Sequence, residues 1–239
     1  MVRKTKQEAQ ETREKLLDAA ETLFHHQGVS HTSLQQIAQE AGLTRGAVYW
    51  HFKDKGELFD AMMRRATMPL EEGVSKHNEL PVSPVTLTEL RWRLVNVFWT
   101  TMHNERTRRV FEIAMQKVEY TGELSALKER KLEARRVWRD QNRAAFDQAV
   151  RNGQLPATLD TQVAAIALVS LVDGLLHNWI ADPTAFDLMK VGRQAVEGAL
   201  TSMGRATGTQ LLPPMTQDEL ARLGQQGVCQ QGKTGCEPD

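Results

Sequence analysis

The stretch "TRGAVYWHFKDKGEL", Thr44 to Leu58, concentrates side chains able to touch nucleic acid. Thr44, Arg45, Tyr49 and His51 offer hydroxyl, guanidinium and imidazole groups, the kinds that bond base edges and phosphates. On a helix, Val48 and Phe52 fall four apart on one side, and both are apolar, so that side packs. Arg45 and Tyr49 share the neighbouring face with Thr44 at its tip, while His51 turns further round toward a flanking backbone. Gly46 removes a side chain from the exposed face, which lets a DNA backbone approach closely. Trp50 is divided between packing on a preceding helix and the rim of the outward surface. Lys55 opens the next helix, and a lysine at a helix N-terminus is a sound phosphate site.

A second residue with chemical potential is Asp173, inside the apolar segment "QVAAIALVSLVDGLLHNWI". A carboxylate there is costly unless it is paired or hydrogen-bonded. Two readings stand: a structural partner (Arg135, Arg139 or an amide), or a polar contact in a ligand cavity, orienting cationic or hydroxylated guests. Catalytic patterns are missing. The chain has no Gly-x-Ser-x-Gly, His-Glu-x-x-His, Walker or dinucleotide glycine motif. His25, His26, His31 and His51 suggest no triad, so neither enzyme activity nor a cofactor is expected. Cys229 and Cys236 stand in a polar Gly/Gln stretch without a nearby histidine, which makes a weak metal site.

Composition sets the frame for these groups. The 239 residues are 41% hydrophobic, enough for one or two packed domains. Lys+Arg and Asp+Glu both number 30, so net charge does not name a partner. A local patch survives at the start, where Arg3, Lys4 and Lys6 precede any acid and become candidates to touch DNA. No uncharged apolar run approaches the ~20 residues of a membrane span. No apolar h-region of a secretion signal opens the sequence. Two cysteines suit a reducing compartment, and the expected location is the cytoplasm.

Helical periodicity recurs along nearly the whole sequence, and no alternating run is long enough for a sheet, so the fold is expected to be all-α. Leu16, Leu17, Ala20, Leu23 and Phe24 form one face of a first helix that stops near Gly28. Thr32 with Gln35 reads as a capping box for a short second helix, broken at Gly42, with Thr44 capping the third. A fourth begins near Asp54. "LPVSPVT" reads as a linker, and longer helices follow: Thr86 to about Met102, Arg106 to about Lys117, Thr121 to Asn152, Asp160 to Ala181, and a last one over "FDLMKVGRQAVEGALTSM". The seventh is expected to carry Leu124, Leu127, Ala134, Trp138, Ala145 and Ala149 on one stripe. Gln210 to Asp239 has little periodicity and reads as a mostly disordered tail.

Two short helices joined by a glycine turn, behind a longer helix, make a helix-turn-helix whose second member enters a major groove. "TSLQQIAQEAGLTRGAVYWHFKDKGELFDAM", continued upstream by "ETREKLLDAAETLFHHQGVSHTS", resembles the N-terminal domain of the TetR family of bacterial transcription regulators. The resemblance implies that Ser33, Thr44, Arg45, Gly46, Tyr49 and His51 face an operator and that Lys55 meets a phosphate. It implies a DNA-binding domain over 1–56 and a ligand-binding and dimerisation domain over 57–205, and the remaining 206–239 is the tail read from composition.

The eighth segment is apolar around almost its whole circumference and must be covered on all sides. One side is expected to face its own chain and the other a second copy, together with Leu188, Val191, Ala195, Ala199 and Met203, giving an isologous homodimer suited to a two-fold operator. "MVRKTKQEAQETRE", "NERTRRVFEI" and "VDGLLHNWI" resemble the AcrR/TtgR-type branch, repressors of multidrug efflux pumps. That branch implies a mostly apolar cavity for small hydrophobic or cationic aromatic compounds, lined here by Leu94, Phe98, Phe111, Met115, Trp138, Leu168, Val172, Asp173 and Leu176. Phe111 and Trp138 are bulky, which implies a narrower cavity or one that stacks aromatic guests. The alternative function is a DNA-bound scaffold whose C-terminal domain docks a protein. The sequence features therefore point to a ligand-released repressor of transcription.

Overall fold

The structure is a computed structural model, and it describes residues 6–72, 85–120 and 124–204. Arg3, Lys4, most of the "LPVSPVT" linker and the tail with Cys229 and Cys236 lie outside the described residues. Among the described residues there are nine helices and no strand: α1 (Lys6–Gln27), α2 (Leu34–Glu40), α3 (Arg45–His51), α4 (Lys55–Glu72), α5 (Leu87–His103), α6 (Glu105–Gln116), α7 (Ser125–Arg151), α8 (Thr161–Ala181) and α9 (Leu188–Gly204).

Local chemistry sets most boundaries. Gly28 ends α1 at φ +83°, a left-handed turn that costs glycine little, and its N–H donates to the Phe24 carbonyl. The cap of α2 lies one residue beyond the expected one. Ser33, not Thr32, accepts from the Gln36 N–H, and the Gln36 amide oxygen accepts from the Ser33 N–H. Thr32 is instead buried, and its hydroxyl donates to the Gly28 carbonyl. Gly42, at φ +66°, turns the chain toward Thr44, whose side chain caps α3 by accepting from the Ala47 N–H. Thr86 with Glu89 forms the same reciprocal box at α5, Asn104 caps α6, and Asp160 caps α8 by accepting two N–H groups.

Two hydrophobic clusters hold the residues up to Gly204. The first joins Leu16, Leu17, Ala20 and Phe24 of α1 to Ile37, Val48, Phe52, Leu58 and Met62, and it also takes in Val110 and Ile113 of α6 and Leu127 of α7. The core therefore does not divide at residue 56. The second cluster joins α5, α7, α8 and α9. The stripe of α7 differs from expectation: Ala134 is exposed, while Asn142 and Phe146 join Leu127, Ala145 and Ala149 inside. A 27-residue helix drifts around its axis as it crosses several neighbours, so one fixed stripe does not describe it. Helix α8 is by length and composition apolar enough to cross a membrane, with mean hydropathy 1.7, and its Leu168, Val172, Leu176 and Trp179 are buried in the second cluster.

Two contacts set helix positions and can be tested. Lys55 is only 6% exposed; its ammonium donates to the Thr32 carbonyl at 2.9 Å and to the Ser30 carbonyl at 3.5 Å, tying the start of α4 to the α1–α2 turn. Lys55→Met leaves buried carbonyls short of a donor, and thermal unfolding should show a loss of about 1–3 kcal/mol, against little change for the exposed Lys53→Met. Gly192 of α9 sits where any Cβ would lie 2.5 Å from the Phe98 ring of α5. Gly192→Ala should therefore lower stability by about 1–3 kcal/mol through overpacking, read as a lowered denaturant midpoint.

Candidate nucleic-acid interface and ligand cluster

Helix α3 presents its faces as its phase requires. Val48 and Phe52 are 0% and 2% exposed and anchor the helix in the first cluster. Ser33, Thr44, Arg45, Gly46 and Tyr49 are exposed, and His51 is half-buried. The Arg45 guanidinium lies 5.4 Å from the Tyr49 ring centroid and donates weakly to the Tyr49 hydroxyl at 3.5 Å, so the two side chains form one outward unit. Trp50, which phase alone divided between two roles, is 72% exposed, its ring edge-on to His51 at 4.5 Å. A Cβ at Gly46 would meet only the Thr44 hydroxyl at 3.9 Å, so the fold itself does not demand glycine there. The small residue is free to serve whatever approaches from outside.

These residues border a groove of about 460 Å³, lined by His31, Ser33, Gln35, Arg45, Tyr49 and Lys53 among others. Lys55 also lines this groove, and its ammonium turns inward to the Thr32 and Ser30 carbonyls. The exposed cation at this helix start is Lys53, which the sequence reading passed over. Asp54 accepts from the Glu57 N–H, and the Glu57 carboxylate accepts from the Lys53 N–H, which fixes the backbone between the two lysines. Lys6 is exposed at the start of α1.

An ionic cluster, also missed, backs the head. Glu21 has a side chain only 6% exposed, and it receives Arg65 of α4 at 3.1 Å, Arg106 at 3.4 Å and Arg109 at 3.3 Å, the latter two from α6. Arg65 also meets Glu14 and Asp18 of α1. The sequence signal was a row of acids at helical spacing, Glu14, Asp18 and Glu21, along the edge of the apolar face of α1.

The residues expected to line a ligand cavity do come together. Leu94, Phe98, Leu168, Val172 and Leu176 are buried in the second cluster, and Phe111, Met115 and Trp138 pack against it half-buried. Asp173 follows the structural reading: Arg135 of α7 reaches its carboxylate at 2.9 Å, with both side chains partly exposed. Asn142 is the group that sequence reasoning missed here. It is 2% exposed, and its Nδ2 has no protein acceptor. A polar residue four positions from Trp138 and from Phe146 on the buried face of α7 was the available signal.

Comparison with known proteins agrees with this architecture. Residues 16–62 match the model for bacterial regulatory proteins of the TetR family, and residues 85–204 match the C-terminal region of the MAATS-type transcriptional repressors. The transcriptional regulator AcrR of Shigella flexneri is 40% identical over 197 residues, 82% of this chain and 91% of that one. The structure of NalD, the secondary repressor of the MexAB-OprM multidrug efflux pump in Pseudomonas aeruginosa, superposes with TM-score 0.72 at 33% identity over 82% of this chain and 98% of that one. The SmeT–triclosan complex superposes with TM-score 0.72 at 31% identity over 87% and 100%. Two clusters of helices, a helix-turn-helix with an outward face and both family matches lead to one assignment: the chain belongs to the TetR family of bacterial regulatory proteins, as a transcriptional repressor of the MAATS type and not an enzyme.

Proposed function

We propose that the protein is a cytoplasmic repressor of a multidrug efflux operon, held on a two-fold operator as a homodimer and released when a small, mostly apolar compound enters the second cluster. The observation that carries the reading is the outward array Thr44, Arg45, Gly46 and Tyr49 on a helix whose opposite side is locked by Val48 and Phe52. Such a helix lies in a major groove with its N-terminal residues on base edges. Ser33 and Lys53 flank it and serve the phosphates, and Lys6 with Arg3 and Lys4 adds positive charge at the start of the chain. The relatives support an efflux operon as the target: NalD is the secondary repressor of a multidrug efflux pump, and SmeT is the repressor of the Stenotrophomonas maltophilia pump SmeDEF.

The dimer rests on α8. Its Val163 and Ile166 are 60% and 42% exposed, on the side that the chain's own helices leave uncovered. Gly174 of α8 and Gly198 of α9 meet open space where a Cβ would stand, so a second copy has room for close helix approach. The ligand class follows from the second cluster. Its walls are apolar and aromatic, and the charge of Asp173 is already balanced by Arg135, which weighs toward uncharged compounds over cationic ones. The compound acts only by fitting the released arrangement better than the operator-bound one. Helix α4 is the mechanical route, because Leu58 and Met62 belong to the head while Arg65 ties the same helix through Glu21 to α6. A protein-docking scaffold is the second reading, favoured by Trp92 and Trp99, about half exposed and seven apart on one face of α5.

Two experiments test the reading. Against a duplex selected from a random-sequence pool, Tyr49→Ala should lose about 1–3 kcal/mol of binding, whereas Lys53→Ala should weaken selected and random duplexes alike and reduce the salt slope by about 1. Equal binding of the selected duplex by wild type and Tyr49→Ala, measured by anisotropy over a salt series, would remove α3 from the interface. Ile166→Asp should place a charge in the uncovered α8 face and convert a dimer to a monomer in light scattering, with its helical circular dichroism retained. A dimer that survives this change assembles elsewhere.

A further inference from the structure

Asn142 is a buried amide whose Nδ2 has no acceptor among the described residues. Its side chain is 2% exposed on α7, one helical turn from Trp138 and one from Phe146, beside Ala145. These neighbours belong to or pack on the second cluster, the same cluster that gathers Leu94, Phe98, Val172 and Leu176. A primary amide carries two N–H donors, and a buried donor with no acceptor costs stability comparable to a lost hydrogen bond. Leucine has nearly the same branched shape and carries no such penalty. Among the described residues, the Thr101 hydroxyl donates to the Val97 carbonyl, the Thr107 hydroxyl to the Ala66 carbonyl and Lys55 to the Thr32 carbonyl, while the Arg65 Nε also lacks an acceptor but belongs to a guanidinium held by Glu14, Asp18 and Glu21. The Asn142 Nδ2 is the exception within the second cluster's face of α7.

We infer that Asn142 is a specificity-determining residue of the ligand site: its Nδ2–H donates to an acceptor oxygen on the bound compound. This deepens the reading of a ligand-released repressor and rests on it. The ligand class narrows to aromatic compounds with an uncharged or anionic acceptor oxygen, such as a diaryl ketone or a phenolate, set among apolar walls. The aromatic body packs against Trp138 and Phe111, and the oxygen takes up the amide that the fold leaves unpaired. A purely hydrocarbon guest leaves that donor unmet and binds less well. A site that must match a polar group discriminates strongly against guests lacking it.

Benzophenone and diphenylmethane test this, because they share two rings and differ in a carbonyl against a methylene. Titration calorimetry of the full-length protein should give wild type a preference for benzophenone of about tenfold, the worth of one buried hydrogen bond. Asn142→Leu and the isosteric Asn142→Asp, which exchanges the donor for a carboxylate, should bind the two within about twofold. Asn142→Leu should also melt several degrees above wild type, since it removes an unmet donor and adds none. Equal affinity of wild type for both probes overturns the assignment of Asn142 while leaving ligand release intact, provided either probe still frees the duplex. A melting temperature of Asn142→Leu at or below that of wild type, with the preference for benzophenone retained, also overturns it, because the amide then has a structural partner such as a buried water. If wild type binds neither probe nor triclosan and no probe frees the duplex, the ligand-release reading falls, and this inference with it.

Discussion

Glu21 is a carboxylate taken out of water, and the placement of three helices follows from that. An isolated buried charge is strongly unfavourable, so cations must come to it. They come from two directions: Arg65 along α4, and Arg106 with Arg109 along α6. Apolar packing between helices tolerates sliding by a fraction of a turn, because one methyl group replaces another. A shared carboxylate tolerates much less, since each guanidinium must keep its distance and direction. Glu14 and Asp18 extend the arrangement along α1, and both meet the same Arg65 guanidinium of α4. Helix α3 inherits this geometry, because Val48 and Phe52 pack into the same cluster as Leu16, Leu17 and Phe24.

Much of this was legible in the amino-acid order, and the reasons are physical. Helices betray themselves by apolar spacing, and α6, α8 and α9 begin and end within a few residues of expectation because caps such as Asn104 and Asp160 are short-range devices. The outward face of α3 was equally legible, since phase alone separates Val48 and Phe52 from Arg45 and Tyr49. Side-chain direction at a helix start was not. Lys53 and Lys55 are chemically identical and two apart, and the one that turns inward meets the Thr32 and Ser30 carbonyls, which are distant in sequence. Thr32 and Ser33 exchanged roles for a similar reason: adjacent hydroxyls compete for one cap, and the loser is buried under Lys55.

The C-terminal half was less legible because its key relations span long sequence distances. Arg135 and Asp173 pair across α7 and α8, and nothing local distinguishes Arg135 from Arg139 as the partner. Asn142 was hidden by the habit of reading an apolar stripe through its apolar members alone. The exposed apolar residues of α8 were foreseeable, since a helix apolar on nearly all sides exceeds what one small chain can cover. Family resemblance supplied the expectation of which helices would surround a ligand, but the packed cluster of Leu94, Phe98, Leu168, Val172 and Leu176 is a property of these particular side chains.

The meeting of Phe98 with Gly192 carries a consequence for how this sequence can drift. The ring stands in the volume that a Cβ at 192 would claim, so the two positions draw on one fixed space. A side chain gained on α9 has to be matched by one lost on α5, and neither change is easily tolerated first. Positions 98 and 192 are therefore expected to vary together among related chains, with a smaller residue at 98 wherever 192 is no longer glycine. Phe98 also lies within the cluster that would receive a ligand, so the size of a residue on α9 sets an upper bound on how far ligand preference can diverge by change at position 98 alone.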